Sequence, residues 1–546
     1  MRHCLRPATA ATVPLLACLL VAASAVVGCW AWLGAPVAMP HSPLAAGEKL
    51  YCLSYAPFRA GETPLDPSTR VSAAEIDADL GALASITDCV RTYSVDFGLD
   101  QIAGIAARHG LKVMQGLWLS DQPEKNRYQI DTAVALANRY PDTVRSLVVG
   151  NEVLLRGNMS AGELAETVRA VKARVRVPVT YADVWEFWLR NRDLASAVDF
   201  ITIHILPYWE DFPVAADAAA SHVEAIREKV AAAFPGKEVL IGEVGWPSAG
   251  RMREGALPSP SNQARVIQEV LALAKAQGFH VNVIEAFDQP WKRALEGTVG
   301  GHWGLLDGVT RKPKFAWGAP VSDHPLWRWQ AAGGVAVAVC VFFCAALTAR
   351  GHGATLRRWP CWLALTANAI AGGIGVGWTI ENVPLESLGI SGWLRSLALV
   401  AAAVLSPVLM SVATIRNVPM PCFAHVLGPK KQRTHDPFAR TLVLLAGAVM
   451  LLALQAALEL VFDPRYRDFP FAPLTAAAVP LLTHALTARR AAPGRGAAET
   501  AGATLLLLSA FYIVPNEGLA NWQSLWFCGA LVLLAISLTR ARAAQD

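Results

Sequence analysis

Eight short apolar runs rich in β-branched residues alternate with helical patterns between residues 48 and 318. The runs are Leu50–Tyr55, Cys89–Tyr93, Lys112–Trp118, Val144–Val149, Val177–Tyr181, Phe200–Ile205, Glu238–Ile241 and Val281–Ala286. Helical periodicity fills the gaps at 72–86, 98–109, 128–140, 160–174, 188–196, 214–234 and 261–277. Strands that are apolar along most of their length are buried on both faces, as in a parallel sheet covered by helices. Eight βα units in about 270 residues close most economically into an α/β fold of the (β/α)8 barrel type, ordinarily about 250 residues long. An open doubly wound sheet would want a glycine-rich turn after its first strand. Here that turn reads Tyr55-Ala56-Pro57-Phe58-Arg59. Ser72, with Glu75 three residues on, marks a capped start for the first helix of this region.

The flanks follow a different pattern. The 546-residue chain is 54% hydrophobic and only 17% charged, against about 25% charged in an ordinary globular domain. Residues 41–325 hold 29 Lys+Arg and 34 Asp+Glu, whereas 326–546 hold 17 and 9. The first 40 residues carry Arg2 and Arg6 and no acid. A slightly acidic block thus lies between basic, apolar flanks. No lysine-rich run interleaves with aromatics, which leaves a nucleic-acid partner without support.

The stretch Val13–Leu33 is long enough to span a bilayer and reads as an uncleaved signal-anchor. Val26-Val27-Gly28-Cys29 resembles a lipoprotein cleavage box, but Trp30-Ala31-Trp32-Leu33 continues the apolar run. Further spans are expected near 329–349, 361–381, 392–415, 441–462, 472–488, 501–515 and 522–539, eight in all. With a cytoplasmic N-terminus, the cytoplasmic segments carry Arg2, Arg6, Arg350, Arg357, Arg358, Arg416, Lys430, Lys431, Arg433, Arg440, Arg489, Arg490, Arg495, Arg540 and Arg542. The short loops on the other side carry Arg465 and Arg467. This asymmetry obeys the positive-inside rule and puts both termini in the cytoplasm and residues 35–327 outside it. The expected domains are a 1–34 anchor, a 35–327 barrel and a 328–546 all-α polytopic membrane bundle. Glu459, Asn368 and His484 fall inside spans, where a polar residue serves either a function or helix pairing. Cys52 and Cys89 are the two cysteines of the exported block. Strand parity, with Cys89 in phase with Tyr93 and Cys52 out of phase with Tyr55, favours two free buried thiols over a disulfide.

Barrel chemistry sits at the C-terminal ends of the strands. Those ends present Tyr55, Arg91-Thr92-Tyr93, Gln115 and Trp118, Asn151-Glu152, Tyr181 with Asp183 and Trp185, His204 with Tyr208 and Trp209, Glu243 with Trp246, and Glu285 with Asp288, Trp291 and Lys292. Glu152 and Glu243 end strands that face each other across the mouth. Paired carboxylates of this sort serve glycosidic bond chemistry, one giving a proton to the leaving oxygen and the other attacking the anomeric carbon. Trp118, Trp185, Trp209, Trp246, Trp291 and Trp303 offer flat faces for sugar rings. Arg91 either pairs with a core acid or holds Glu243 ionised, and His204 reads as a core histidine rather than an acid.

Val149-Gly150-Asn151-Glu152-Val153 and Ile241-Gly242-Glu243-Val244-Gly245-Trp246-Pro247-Ser248 resemble the two signature strands of glycoside hydrolase family 17. Arg91-Thr92-Tyr93 and Glu285-Ala286-Phe287-Asp288-Gln289-Pro290-Trp291-Lys292 extend the resemblance over about residues 50–318. It implies a retaining β-1,3-glucanase or glucanosyltransferase on a (β/α)8 barrel, with Glu152 as acid/base, Glu243 as nucleophile, Asn151 on the sugar 2-hydroxyl and Tyr208 positioning nucleophile or sugar. The remaining expected substrate contacts are Tyr55, Arg91, Tyr93, Trp118, Tyr181, Trp185, Trp246, Asp288, Trp291 and Lys292. Two departures are Gln289, where the family often has Glu, and His204-Ile205-Leu206-Pro207-Tyr208, where it often has Asn-x-Tyr-Pro.

Joined to spans, such a domain resembles bacterial inner-membrane proteins described as β-glucan synthases, which make cyclic or branched periplasmic β-(1,3;1,6)-glucans. No cytoplasmic loop exceeds about 25 residues, too short for a nucleotide-sugar polymerising domain. The expected role is therefore remodelling of β-glucan by transfer, elongating or branching it, with no metal or cofactor and with β-glucan, the lipid bilayer and a separate synthase as partners. Hydrolysis, or a glucan-binding and export platform, is the alternative.

Overall fold

In a computed structural model of the chain, the described residues are 9–351, 359–420, 422–428, 430, 433–488 and 496–541. Arg2, Arg6, Arg357, Arg358, Lys431, Arg489, Arg490, Arg495 and Arg542 of the loop-charge argument lie outside them. Two compact units form. One is Val37–Val321, and the other joins the residues up to Pro36 with those from Ser322 onward.

The chain enters through an apolar helix, α1 (Thr9–Leu33). The Val37–Val321 unit is a closed parallel barrel of eight strands in sequence order. The strands are β1 (Cys52–Ser54), β2 (Cys89–Arg91), β3 (Lys112–Leu117), β4 (Val144–Asn151), β5 (Val179–Val184), β6 (Ile201–His204), β7 (Val239–Val244) and β8 (Val281–Val283). Strand β8 pairs back onto β1 through Leu53 and Val283, so no sheet edge is left open. Around it lie α2 (Ala73–Leu83), α3 (Ile102–Arg108), α4 (Pro123–Arg139), α5 (Ala161–Lys172), α6 (Trp185–Arg190), α7 (Ala219–Ala233), α8 (Pro260–Gln277) and α9 (Arg293–Gly300). Ser72 and Glu75 form the capping box of α2, and Ser160 and Glu163 repeat it on α5. Leu, Ile and Val from strands and helices form one continuous core.

The two cysteines of the barrel unit are joined as a disulfide, Cys52–Cys89, with Cα atoms 4.3 Å apart. This corrects the parity argument. Tyr55 faces outward, its hydroxyl donating to Asp79 of α2 at 3.1 Å, so it is the wrong reference for the inner face. Ser54, in phase with Cys52, points inward and bonds Asn282 at 2.8 Å. Cys52 and Cys89 therefore share the barrel interior, in a layer with Met114, Val148, Ala182 and Leu240.

The other unit contains α1 and α10 (Trp327–Gly351), α11 (Trp359–Glu386), α12 (Gly389–Arg416), the short α13 (Ala424–Leu427), α14 (Pro437–Phe462), α15 (Phe471–Thr487), α16 (Ala497–Glu517) and α17 (Trp522–Thr539). Among the described residues seven helices are long and apolar enough to cross a membrane. The helix expected at 472–488 has 17 residues, about 26 Å of rise, and much of its surface is buried. Polar residues join the helices. Glu459 pairs with Arg395 at 3.3 Å and accepts from Gln455 at 3.1 Å. Asn368 bonds Ser411 at 3.0 Å and Thr483 at 2.7 Å. His484 meets Thr414 at 3.0 Å. These contacts match the helix-pairing alternative for all three.

Candidate active site

Glu152 stands one residue past the end of β4, and the backbone there is unusual. Gly150 has φ 88° and Glu152 φ 54°, both in the left-handed region that L side chains rarely adopt. A Cβ on Gly150 would meet Val153 Cγ2 at 2.7 Å, so glycine is required for the turn that delivers Glu152 to the mouth. A non-glycine residue held in this conformation costs on the order of 1–3 kcal/mol, which the surrounding structure must sustain. Glu243 lies inside β7, buried, and its register partner on β6 is His204.

A carboxylate oxygen of Glu152, one of Glu243 and a ring nitrogen of His204 all lie within 4.8 Å of one another. Two of these three groups already face a guanidinium. Arg91, fully buried, reaches Glu243 Oε1 at 3.1 Å and His204 Nε2 at 3.3 Å. It also donates to Gly242 O at 2.6 Å and to Asn151 Oδ1 at 2.5 Å. Tyr93 donates to the same Oε1 at 2.9 Å and is backed by Ser54 at 2.8 Å, which takes a bond from Asn282 at 2.8 Å. Burial, reinforced by the Glu243 charge, raises the Tyr93 hydroxyl well above its usual range, so it remains a donor. Oε1 of Glu243 is thus anchored, while Oε2 has no partner among the described residues. Glu152 repeats the arrangement: His204 Nδ1 contacts its Oε1 at 2.8 Å, and Oε2 is free of protein contacts among those residues. Burial pushes the Glu152 carboxyl up, but the His204 bond and the nearby positive charges of Arg91 and Arg156 act against it, and the carboxyl sits below its usual value.

Residues 52–304 match the family model described as BtgE/BtgC glycoside hydrolase domain. Over this stretch the barrel is similar to a glycoside hydrolase domain. The chain is 28% identical to a glucan 1,3-beta-glucosidase of Candida albicans, over 44% of this chain and 85% of that protein. It is 27% identical to a glucan 1,3-beta-glucosidase of Saccharomyces cerevisiae, over 43% and 82%. A solved glycoside hydrolase family 17 beta-1,3-glucanosyltransferase from Rhizomucor miehei is 26% identical, covering 48% of this chain and 95% of that one, with a TM-score of 0.43.

The hydrolase barrel brings Arg91, Tyr93, Asn151, Glu152, His204 and Glu243 together. Asn151 commits Oδ1 to Arg91 and keeps Nδ2 without a partner among the described residues. Lys292 bonds Glu285 at 2.8 Å at the end of β8. Burial raises the Glu285 carboxyl to about 7 against the pull of Lys292. Four expected sugar contacts are instead supports. Tyr55 is buried against Asp79. Tyr181 is buried, with its hydroxyl on Asp183. Trp246 is buried and donates to Leu257 O at 3.0 Å. Asp288 is buried and held by Lys314 at 2.6 Å. Their bulk or their polar atoms are already committed within the protein.

Tyr208 was expected on the nucleophile or the sugar. Its hydroxyl donates to Arg251 O at 2.9 Å, and the tyrosine that donates to Glu243 is Tyr93. Trp118 is the most open of the expected aromatics at 37% exposure, with Arg156 over its ring. Trp185 and Trp291 are half-buried and hydrogen-bonded to Glu210 and Gln289. One group escaped the motif reading: Glu296 of α9. Burial raises its carboxyl, Lys292 pulls it down, and Glu152 and Glu243 push it up. Helical periodicity alone assigns no direction to such a residue.

Proposed function

We propose that this chain is a membrane-anchored glucanosyltransferase acting on β-1,3-linked glucan with retention of configuration. The observation that carries the reading is the pair Glu152 and Glu243, each with one anchored and one free carboxylate oxygen, approaching within 4.8 Å. Retaining glycosidases hold their carboxyl groups about 5–5.5 Å apart, whereas inverting ones need about 6.5–9.5 Å to admit a water. Oε2 of Glu243 attacks the anomeric carbon while Glu152 gives its proton to the departing glycosidic oxygen, whose bond to that carbon breaks. A glucan hydroxyl then attacks the same carbon, returns a proton to Glu152 and releases the Glu243 carboxylate. Arg91 and Tyr93 hold Oε1 of the nucleophile and leave Oε2 aimed at the substrate. The relatives named as glucan 1,3-beta-glucosidases support the substrate class.

Seven long apolar helices among the described residues support a bilayer location; the proposed topology adds the shorter α15 as an eighth crossing and keeps the barrel outside the cytoplasm. A fixed enzyme of this kind suits remodelling of a polymer delivered by a separate synthase. The test uses the full chain in detergent with reduced laminari-oligosaccharides, products being read by mass spectrometry. Products longer than the substrate, absent with Glu243→Gln, are expected. Shorter products alone would make the enzyme a hydrolase, and unchanged substrate would overturn the β-1,3 assignment. A 2-deoxy-2-fluoro glycosyl fluoride of the same sugar should label the peptide that carries Glu243; an unlabelled protein would refute the covalent route.

A further inference from the structure

His204 stands between the two carboxylates, and proton counting fixes its state. A guanidinium has two protons on each η nitrogen and accepts none. In Arg91 the Nη1 protons meet Gly242 O and Glu243 Oε1, and one Nη2 proton meets Asn151 Oδ1. The fourth points at His204 Nε2, 3.3 Å away. This contact is a hydrogen bond only when Nε2 presents its lone pair, which places the ring proton on Nδ1. The alternative, Nε2–H toward Glu243 Oε1, spans 3.5 Å and sets a proton against the guanidinium. Nδ1–H faces Glu152 Oε1 at 2.8 Å. The ring is 1% exposed, so no solvent competes for either nitrogen. The sequence Arg91 to His204 to Glu152 therefore runs in one donor direction.

We propose that His204 is the positioning residue of the acid/base: Arg91 locks its ring as the Nδ1–H tautomer, and that N–H anchors Glu152 Oε1 so that Oε2 alone carries the proton exchanged with the glycosidic oxygen. The proposal rests on the assignment of Glu152 as acid/base. It also gives Arg91 a hold on both carboxylates, directly on the nucleophile and through His204 on the acid/base. Donation to Oε1 persists whether or not Oε2 is protonated, so Glu152 keeps one orientation through both half-reactions.

The test compares two substrates that differ in their need for a proton. Laminari-oligosaccharides have a poor leaving group, whereas a 2,4-dinitrophenyl β-laminaribioside leaves unaided, and azide then attacks the glycosyl-enzyme without a general base. The full chain, His204→Ala, His204→Asn and Glu152→Ala are compared. His204→Ala should lose about 100-fold in kcat/KM on the oligosaccharide, within the ordinary worth of a general acid. On the aryl glycoside with azide it should stay within a few-fold of the unaltered chain and yield β-glycosyl azide. His204→Asn, whose amide can donate from the place of Nδ1, should recover most of the oligosaccharide activity. Equal losses on both substrates, or no loss on either, would overturn the role of His204. So would failure of the asparagine variant to exceed the alanine one. Glu152→Ala must itself show azide rescue. If it does not, the acid/base assignment falls and takes this inference with it; if it does and His204→Ala does not, only the inference falls.

Discussion

Replacing Arg91 by methionine keeps a long side chain and removes a cation whose four η protons all have acceptors inside the barrel. Gly242 O keeps a bond from Asn282 at 2.6 Å. Glu243 is worse placed: buried, it retains the Tyr93 hydroxyl at 2.9 Å, with His204 Nε2 at 3.5 Å. Removing one partner of a buried ion pair costs about 3–5 kcal/mol because the other charge is left uncompensated. Unfolding a unit the size of Val37–Val321, at ~2.1 cal/mol/K per residue, has an entropy of ~0.6 kcal/mol/K, so the expected fall in melting temperature is ~5–8 °C. The stranded charge accounts for about half of this loss. Adding Glu243→Gln to Arg91→Met should therefore recover about 2 kcal/mol, or ~3 °C. Scanning calorimetry of the full chain in detergent, following the barrel transition, measures both. A double variant that melts no higher than Arg91→Met would refute the uncompensated-charge argument and leave packing as the cause.

Two further expectations concern stability. The Cys52–Cys89 bond closes a loop with a sequence separation of 37, which chain entropy values at ~3–4 kcal/mol; Cys52→Ala with Cys89→Ala should melt ~5–7 °C lower, and equal melting of the two forms would remove the bond from the account of stability. Burial raises Glu285 from 4.5 to about 7, so between those values the folded state binds more protons than the unfolded one and stability falls as pH rises, by on the order of 3 kcal/mol at most. Below 4.5 that contribution is fully present. Glu285→Gln should flatten the decline between pH 5 and 7, and parallel melting curves for the two proteins would contradict it.

The barrel was legible in the sequence because each strand is apolar over its length and each helix amphipathic, both of which are local patterns. The Glu152 and Glu243 positions were legible for the same reason: they end strands, and strand ends converge at one face of such a barrel. The inner and outer sides of a strand were harder to assign. Tyr55 misled the parity of β1 because an aromatic residue can bury itself against a helix as readily as inside a barrel. Trp246 and Tyr181 looked like sugar contacts by position, yet both are fully buried. Tyr208 was expected on the nucleophile or the sugar and Tyr93 on the substrate, yet the hydroxyl within reach of Glu243 is that of Tyr93.

The sequence by itself determined the closed α/β architecture, the apolar helices that flank it and the two carboxylates at the mouth, since periodicity and strand order need no knowledge of distant contacts. Only the tertiary structure decided which donors hold each carboxylate oxygen, that Cys52 meets Cys89, and that His204 faces Arg91 on one nitrogen and Glu152 on the other. Those contacts join residues from different strands, up to 152 positions apart for Arg91 and Glu243. Hydrogen bonding acts over about 3 Å, a distance set by barrel closure and register rather than by any local pattern.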